Sequence, residues 1–387
     1  MVEKKKAKNK PSRMTAPVTK YTLWAKAAGR CQFSGCNKLL YCSEITLEPV
    51  NIADNAHIYS FEERGPRRHD GIKLEKINDV DNLMLLCKTC HKTIDNNDGK
   101  QYPIELLKAW KHEHETRVRI VTGIDPNRKT LVVVYTAAID RQNLHLNSDD
   151  LLKTLFPQKY PISPNPIDLS LKIPIKDNTP IYWEAESASL RQLFESNIPS
   201  EISRGASDFT IFAIAPQPLL ILLGTLFSDK RIVEVRQLMR EPQTWTWQMP
   251  PKRFKLQIKK PDHPTGNAPA LNLSISAHIN NERIAPLVKE GTDIWTITPE
   301  GGECGNDIIR CPEQLSHFRK VIRVLIKQMM EQYGMRTPLH IFPAMPVSCA
   351  VELGRIRMPK ADMPWLIYDQ PNNQKSFSYA LSIGDNK

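Results

Sequence analysis

Two close cysteine pairs far apart in the chain constrain its fold more than any other feature: Cys31 and Cys36 in CQFSGC, and Cys87 and Cys90 in CKTCH. The second pair alone fits three chemistries. Cys-x-x-Cys-His is the attachment signature of a c-type haem, and Cys-x-x-Cys is also a redox dithiol or half of a zinc site. The surroundings discriminate among them. The basic start MVEKKKAKNKPSR leads into no apolar h-region, so a secretory signal is not expected. The longest apolar run, PLLILLGTLF at 218–227, is about half of the ~20 residues a membrane-spanning helix needs. A cytoplasmic protein without a membrane segment is expected, which argues against haem. No βαβ pattern surrounds the CxxC, which argues against a redox dithiol. Taken together, the two pairs fit a tetrahedral four-thiolate structural zinc site tying two distant segments together. Cys42, near but unpaired, reads as a core thiol.

The length of 387 residues allows two or three domains. The formal charge of +11 is uneven: residues 1–140 carry 24 Lys/Arg against 17 Asp/Glu, the remainder 29 against 25. A basic excess in the first third points to a polyanionic partner there, most simply nucleic acid. Residues 1–19 read as a basic tail, disordered when free.

Between the cysteine pairs, DNAHIYS (54–60) and DVDNLMLLC (79–87) set His57, Asn82 and His91 in order. Phosphodiester hydrolysis needs a base that titrates near neutrality and a divalent cation at the scissile phosphate. A neutral imidazole such as His91 can ligate that cation, and an Asn side chain can hold the loop that carries the base. NLMLLC reads as a short strand and HKTIDNND as a helix start, so the segment predicts a β-β-α finger with His57 and His91 on opposite sides. His112 and His114 in WKHEHE are two apart and share no helix face, so they are not expected to be ligands. Leu106, Leu107 and Trp110 mark a packing face there. Arg64, Arg67 and Arg68 in EERGPRRHDG are candidates to grip DNA phosphates.

Residues 20–120 resemble the HNH (ββα-metal) endonuclease family, through AHI, DNLMLLC, CxxCH and YPIELLKAWKHEHE. The resemblance implies that His57 is the general base, Asn82 structural and His91 a ligand of a catalytic Mg2+ or Mn2+. The residue before the base, often a metal ligand in that family, is Ala56 here, which leaves Asp54 as the nearest acidic substitute. On this reading Cys87 and Cys90 belong to the structural zinc and His91 to the catalytic ion.

After GIDPNRKT (123–130), which reads as a linker, the pattern changes. IFAIAPQPLLILLG (211–224) aligns without gaps to IFPAMPVSCAVELG (341–354), matching Ile211/Ile341, Phe212/Phe342, Pro216/Pro346, Leu223/Leu353 and Gly224/Gly354. LVVVYTA (131–137) and LNLSISA (271–277) match more loosely. Duplicated strand–helix units predict two α/β halves, about 131–250 and 251–387, each with a largely parallel sheet. Ligands of such folds sit beyond the carboxyl ends of the strands. That places Pro343 and Met345 at the expected ligand edge. Neither a Walker A loop nor a well-placed GxGxxG occurs. Trp245 and Trp247 in TWTWQ are candidates to stack on a nucleobase; as residues two apart they also share one strand face, and the core is expected to take one of them. Lys252 and Arg253 are candidates for phosphate contact.

Residues 130–387 resemble the SAVED domain, a fusion of two CARF-like (Rossmann-like) halves, most clearly in LHIFPAMPVSCAVELGRIRMPKADMPWLIYD. HNH joined to SAVED is similar to the effector nucleases of CBASS anti-phage systems. The resemblance implies a cyclic di- or trinucleotide ligand made by a cognate nucleotidyltransferase. It also implies a double-stranded DNA substrate cut without much sequence preference, and a homo-oligomer, at least a dimer, that assembles further on ligand binding. Two other readings compete. One is a modification-dependent HNH restriction endonuclease; the other is a non-enzymatic, zinc-stabilised DNA-binding regulator with a ligand sensor.

Overall fold

The computed structural model describes residues 14–68, 71–139, 146–171, 179–249, 254–370 and 376–384. Lys252, Arg253 and most of the basic tail lie outside the described residues. The chain divides into two compact units, Met1–Asp125 and Pro126–Lys387.

In the first unit, α1 (Pro17–Lys26) is followed by β1 (Ala53–His57), β2 (Leu83–Cys87), α2 (Lys88–Asp95) and α3 (Ile104–Thr122). The two strands pair antiparallel, with Ala53 opposite Cys87 and His57 opposite Leu83. All five residues of β2 are buried, so the strand reads as a continuous apolar run with no alternation. Its residues pack with Leu23 of α1, Ile94 of α2 and Leu107 of α3 into one small core. Cys87 ends β2 and caps α2, its Sγ accepting from the Cys90 amide at 3.4 Å. The chain therefore turns from strand to helix on a sulfur.

The second unit opens with β3 (Lys129–Thr136), α4 (Ser148–Lys153), β4 (Tyr160–Pro161) and β5 (Ile167–Asp168). It continues with α5 (Pro180–Ser203), β6 (Asp208–Ile214), α6 (Gln217–Phe227) and β7 (Ile232–Val235). These strands form a parallel sheet in the order β4-β3-β6-β7, with β5 also beside β3. A small hairpin, β8 (Met239–Arg240) and β9 (Gln243–Thr244), follows. The rest comprises β10 (Leu256–Lys259), β11 (Ala268–Ser274), β12 (Thr292–Pro299), α7 (Pro312–Tyr333), β13 (Leu339–Ala344), α8 (Val347–Arg355), β14 (Trp365–Asp369) and β15 (Ser378–Ile383). Their sheet runs β10-β12-β11-β13-β14-β15. The four inner strands are parallel and the two edge strands antiparallel.

The sequence repeat falls on equivalent elements. β3-β6-β7 and β11-β13-β14 are adjacent parallel triplets in the same order, and α6 and α8 follow the central strand of each. The inward residues Leu131, Val133 and Tyr135 of β3 share one core with Leu271 and Leu273 of β11 and with both helices. Val132 and Val134 face an outer layer with Phe212 and Trp245, and Ala270 faces another with Phe342, Tyr368 and Phe377. Both sheets are thus covered on both faces, as parallel sheets require. The two helices touch at Gly224 and Gly354: a Cβ on either would overlap a backbone carbonyl of the other helix, Val351 or Ile221 respectively. Only glycine permits that approach. No helix among the described residues is long and apolar enough to cross a membrane.

Candidate active site and metal centres

The first pair of cysteines sits on the turn after α1, and the second brackets the junction of β2 and α2. Gln32 joins the two segments, its backbone amide donating to the Leu85 carbonyl at 2.9 Å and its Oε1 accepting from the Leu85 amide at 2.8 Å. The four Sγ atoms of Cys31, Cys36, Cys87 and Cys90 lie within 4.8 Å of one another. Thiolates at the usual Zn–S distance are about 3.8 Å apart in a tetrahedron, so the set fits a zinc ion. Backbone amides of Cys87 and Cys90 donate to Cys31 and Cys87 sulfurs, each at 3.4 Å. Burial pushes the Cys31 thiol up to about 12 and raises the Cys90 thiol as well, so a cation at the centre is what would keep these sulfurs deprotonated. Cys42 is half-buried and donates to the Ser43 carbonyl, outside the set.

A second cluster forms where α2 crosses β1. His91 stands between two carboxylates: Nδ1 is 3.1 Å from Asp54 Oδ2, and Nε2 is 3.4 Å from Asp95 Oδ2. The hydrogen bond to Asp95, then the one to Asp54, holds the imidazole above its usual range against a burial that lowers it. Burial works to raise Asp95, but His91 and Arg67 together bring it below the usual carboxylate range. Oxygen and imidazole donors of this kind suit a hard divalent cation. A cation on one ring nitrogen leaves the other as an N–H donor to the opposite carboxylate, the arrangement that fixes a ligating histidine.

His57 closes β1 three residues beyond Asp54, about 10 Å along the strand. Its Nε2 is 3.0 Å from Asn78 Oδ1. An amide oxygen only accepts, so Nε2 donates in that bond. Asn82, almost fully buried, holds the chain leaving β1: its Oδ1 accepts from the Tyr59 amide at 2.8 Å. Its Nδ2 donates to the carbonyls of Ile77 and Tyr59 at 2.8 and 3.1 Å.

The arginine loop divides. Arg64 and Arg68 are exposed, whereas the Arg67 side chain is only 5% exposed. Its guanidinium donates to the Ile58 carbonyl (3.0 Å), the His57 carbonyl (3.3 Å), the Ile94 carbonyl and the Asp95 carboxylate (both 2.5 Å). Arg67 is therefore built into the finger, where it joins the end of β1 to the end of α2, and is not available to DNA. It takes a left-handed backbone, φ +53°, to do so. Gly99, also left-handed, passes against its guanidinium, where a Cβ would collide.

Three participants escape the sequence reading: Asp95, Asn78 and Arg67 in its structural place. Asp95 carried a signal, since His91 and Asp95 stand at i and i+4 and share a helix face. Asn78 carried none. In the second unit, Trp245 is buried edge-on to Phe212, ring centroids 5.2 Å apart, so it belongs to the core. Trp247 is half-buried and donates through Nε1 to Glu234 at 3.0 Å. Met345 is buried as well, and its backbone amide and carbonyl both bond the Gln217 side chain, at 3.2 and 3.0 Å. Its side chain packs into the shared core. Pro343 lies on β13.

The chain thus joins a ββα finger, with its cysteine cluster and His–carboxylate centre, to a duplicated α/β unit. The model of the SAVED family, the SMODS-associated and fused to various effectors sensor domain, matches residues 190–383, and the chain belongs to this family. The HNH endonuclease model matches residues 31–98, so the chain couples an HNH domain to a SAVED domain. No curated protein matches the chain. Among solved structures it is similar to the Acinetobacter baumannii Cap4 SAVED/CARF-domain containing receptor with the cyclic trinucleotide 2′3′3′-cAAA. Identity is 12% and the TM-score 0.41, covering 80% of this chain and 64% of that one. It is also similar to the Moraxella osloensis Cap4 SAVED/CARF-domain containing receptor, at 14% identity and TM-score 0.37, covering 81% and 70%. The chain thus spans less than two thirds of the length of the Acinetobacter receptor.

Proposed function

We propose that this chain is a metal-dependent endonuclease of double-stranded DNA, switched on by a cyclic di- or trinucleotide at its SAVED unit, and that it serves as a CBASS-type anti-phage effector. The Asp54–His91–Asp95 cluster beside the His57 end of β1 carries this reading, because mere DNA binding requires neither a base nor a carboxylate-flanked imidazole. Asp54 and His91 would hold Mg2+ or Mn2+, and Asp95 orients the imidazole. Bound there, such an ion would supply charge neutralisation at the scissile phosphate and the leaving oxygen. His57 takes a proton from water at Nδ1 while the water oxygen attacks phosphorus. The phosphorus–oxygen bond to the leaving deoxyribose breaks, and the departing oxygen takes a proton from solvent. Asn78 keeps the His57 ring in one tautomer, and Asn82 keeps the strand end in place. Zinc on the four cysteines holds the finger together, and Arg64 and Arg68 meet DNA phosphates.

The nuclease works in the cytoplasm, where a cognate nucleotidyltransferase supplies the ligand. Activation of about a hundredfold requires a ligand preference of ~2.7 kcal/mol for the active state. Assembly of chains would bring fingers from different subunits to the two DNA strands. The test is plasmid cleavage by the purified full chain with Mg2+ or Mn2+, alone and with a panel of cyclic di- and trinucleotides. One ring should switch cleavage on and raise the mass seen by light scattering. Cleavage independent of any ring defeats the gating, silence under every condition defeats the nuclease, and cleavage of methylated plasmid only would favour a restriction enzyme.

A further inference from the structure

We propose that the SAVED unit carries a second anion site, for a nucleoside polyphosphate, at the amino ends of its parallel strands and across the seam between its halves. A pocket of about 590 Å3 lies there, within the size range of small-ligand sites. One wall comes from the segment between α6 and β7, the other from α7 and the end of α8. Activating ligands of such folds are expected at the opposite, carboxyl ends, so this site is separate from the sensor edge.

Five cations line the pocket, Arg231, Arg319, Lys320, Arg323 and Arg355, against two carboxylates, Asp229 and Glu352. Two of the five are committed elsewhere. Arg231 donates to the Leu226 and Phe227 carbonyls at the end of α6, and Arg355 to the carbonyls of Ser228, Arg231 and Val233 and to Glu352 Oε1 at 2.7 Å. The other three stand on adjacent turns of α7. Arg319 reaches Glu352 at 3.0 Å and Arg323 reaches Asp229 at 2.9 Å, while Lys320 is exposed and makes no ion pair among the described residues. Only the Arg323–Asp229 pair joins the two halves, while Arg319 and Arg355 share one oxygen of Glu352 within the second half, so the five cations still outnumber the two carboxylates.

Two unmet hydrogen-bonding groups indicate what would complete the pocket. Arg323 Nη1 is buried without an acceptor, and Glu352 Oε2 is buried without a donor, on a side chain that is 1% exposed. Buried polar atoms in folded proteins are rarely left so. A phosphate oxygen satisfies the first, and an exocyclic amine or ribose hydroxyl the second. Beside them, Ile232 and Val324 are exposed apolar side chains, a surface for the flat face of a base. Concentrated cations, an apolar wall and an orphan acceptor in one concavity match a nucleotide better than an extended strand. Because the walls belong to different halves, an occupant bridges them.

Isothermal titration of the full chain tests the site with ATP, inorganic pyrophosphate, adenosine and a short DNA duplex. ATP and pyrophosphate should bind and adenosine should not, and a saturating cyclic trinucleotide should leave ATP binding in place. Lys320→Glu, an exposed change that spares the seam, should weaken ATP about tenfold, with the cyclic trinucleotide response intact. Absence of heat with both ATP and pyrophosphate overturns the proposal, as does a Lys320→Glu chain that binds ATP like the parent. Duplex binding that Lys320→Glu weakens, without ATP binding, would assign the pocket to a DNA backbone and overturn it too. None of these readouts depends on nuclease activity.

Discussion

Replacing Arg67 with Ala should loosen the whole finger without touching its zinc knuckles. Truncation leaves the carbonyls of His57, Ile58 and Ile94, and one Asp95 oxygen, without the donor they have now. Stranding a buried acceptor costs ~1–3 kcal/mol, and breaking a buried ion pair about 3–5 kcal/mol. Asp95 is 37% exposed, so water replaces part of what it loses, and the net settles near ~3 kcal/mol. Hydrogen exchange with mass spectrometry on the full chain reads this locally. Amides of β1 and β2 should exchange about 150-fold faster, while those of the second unit keep their rates. Arg67→Lys should recover only a fraction, because an ammonium can meet Asp95 but cannot fork across three carbonyls. Exchange in β1 and β2 within about tenfold of the parent chain would refute the seating of this guanidinium.

Other perturbations separate the remaining roles. His57→Ala should abolish plasmid cleavage and leave folding and cyclic-nucleotide binding unchanged; near-parental cutting would remove it as the base. Elemental analysis should find about one zinc per chain, and mild chelation should stop cleavage reversibly without releasing that zinc. Gly354→Ala forces a methyl into the Ile221 carbonyl and should cost about 1–3 kcal/mol, seen as a lower melting temperature of the second unit. Burial raises the Glu186 carboxyl to about 7 from 4.5. The folded state therefore holds a proton that the unfolded chain releases near 4.5. Stability should fall as pH rises from about 4.5 to 7, by up to ~3 kcal/mol, and level off above; Glu186→Gln should flatten that slope in denaturant titrations.

What was legible in the sequence was whatever leaves a periodic or spaced trace. The apolar run of β2, the two cysteine pairs and the 211–224/341–354 repeat all do so. Local order is written locally. Arg67 could not be placed, because its sequence neighbours Arg64 and Arg68 are exposed and only the fold turns it inward through a left-handed backbone. Asn78 meets His57 from 21 residues away, through an irregular segment with no pattern. The antiparallel edges β10 and β15 were equally hidden, since a strand's direction depends on its partner and not on its composition. Trp245 went into the core as the shared strand face of TWTWQ allowed for one of the pair, whereas Met345 went inward from a strand end where a ligand edge and a core edge share the same residue types.

The meeting of Gly224 with Gly354 has a consequence for symmetry. Equivalent positions touching each other is what a twofold axis produces between identical chains, here drawn inside a single polypeptide. Two identical chains must present the same face to both sides of anything bound on their axis. Covalent joining removes that obligation. Each half is free to change alone, and the present chain shows it: Gln217 bonds the Met345 backbone, whereas the position matching Gln217 in the repeat is Val347. A molecule lying across this axis is met by unlike partners at its two ends and has one preferred orientation. For any occupant that is not itself twofold symmetric, the two placements related by this axis therefore differ in free energy, whereas at an axis between identical subunits they are equal.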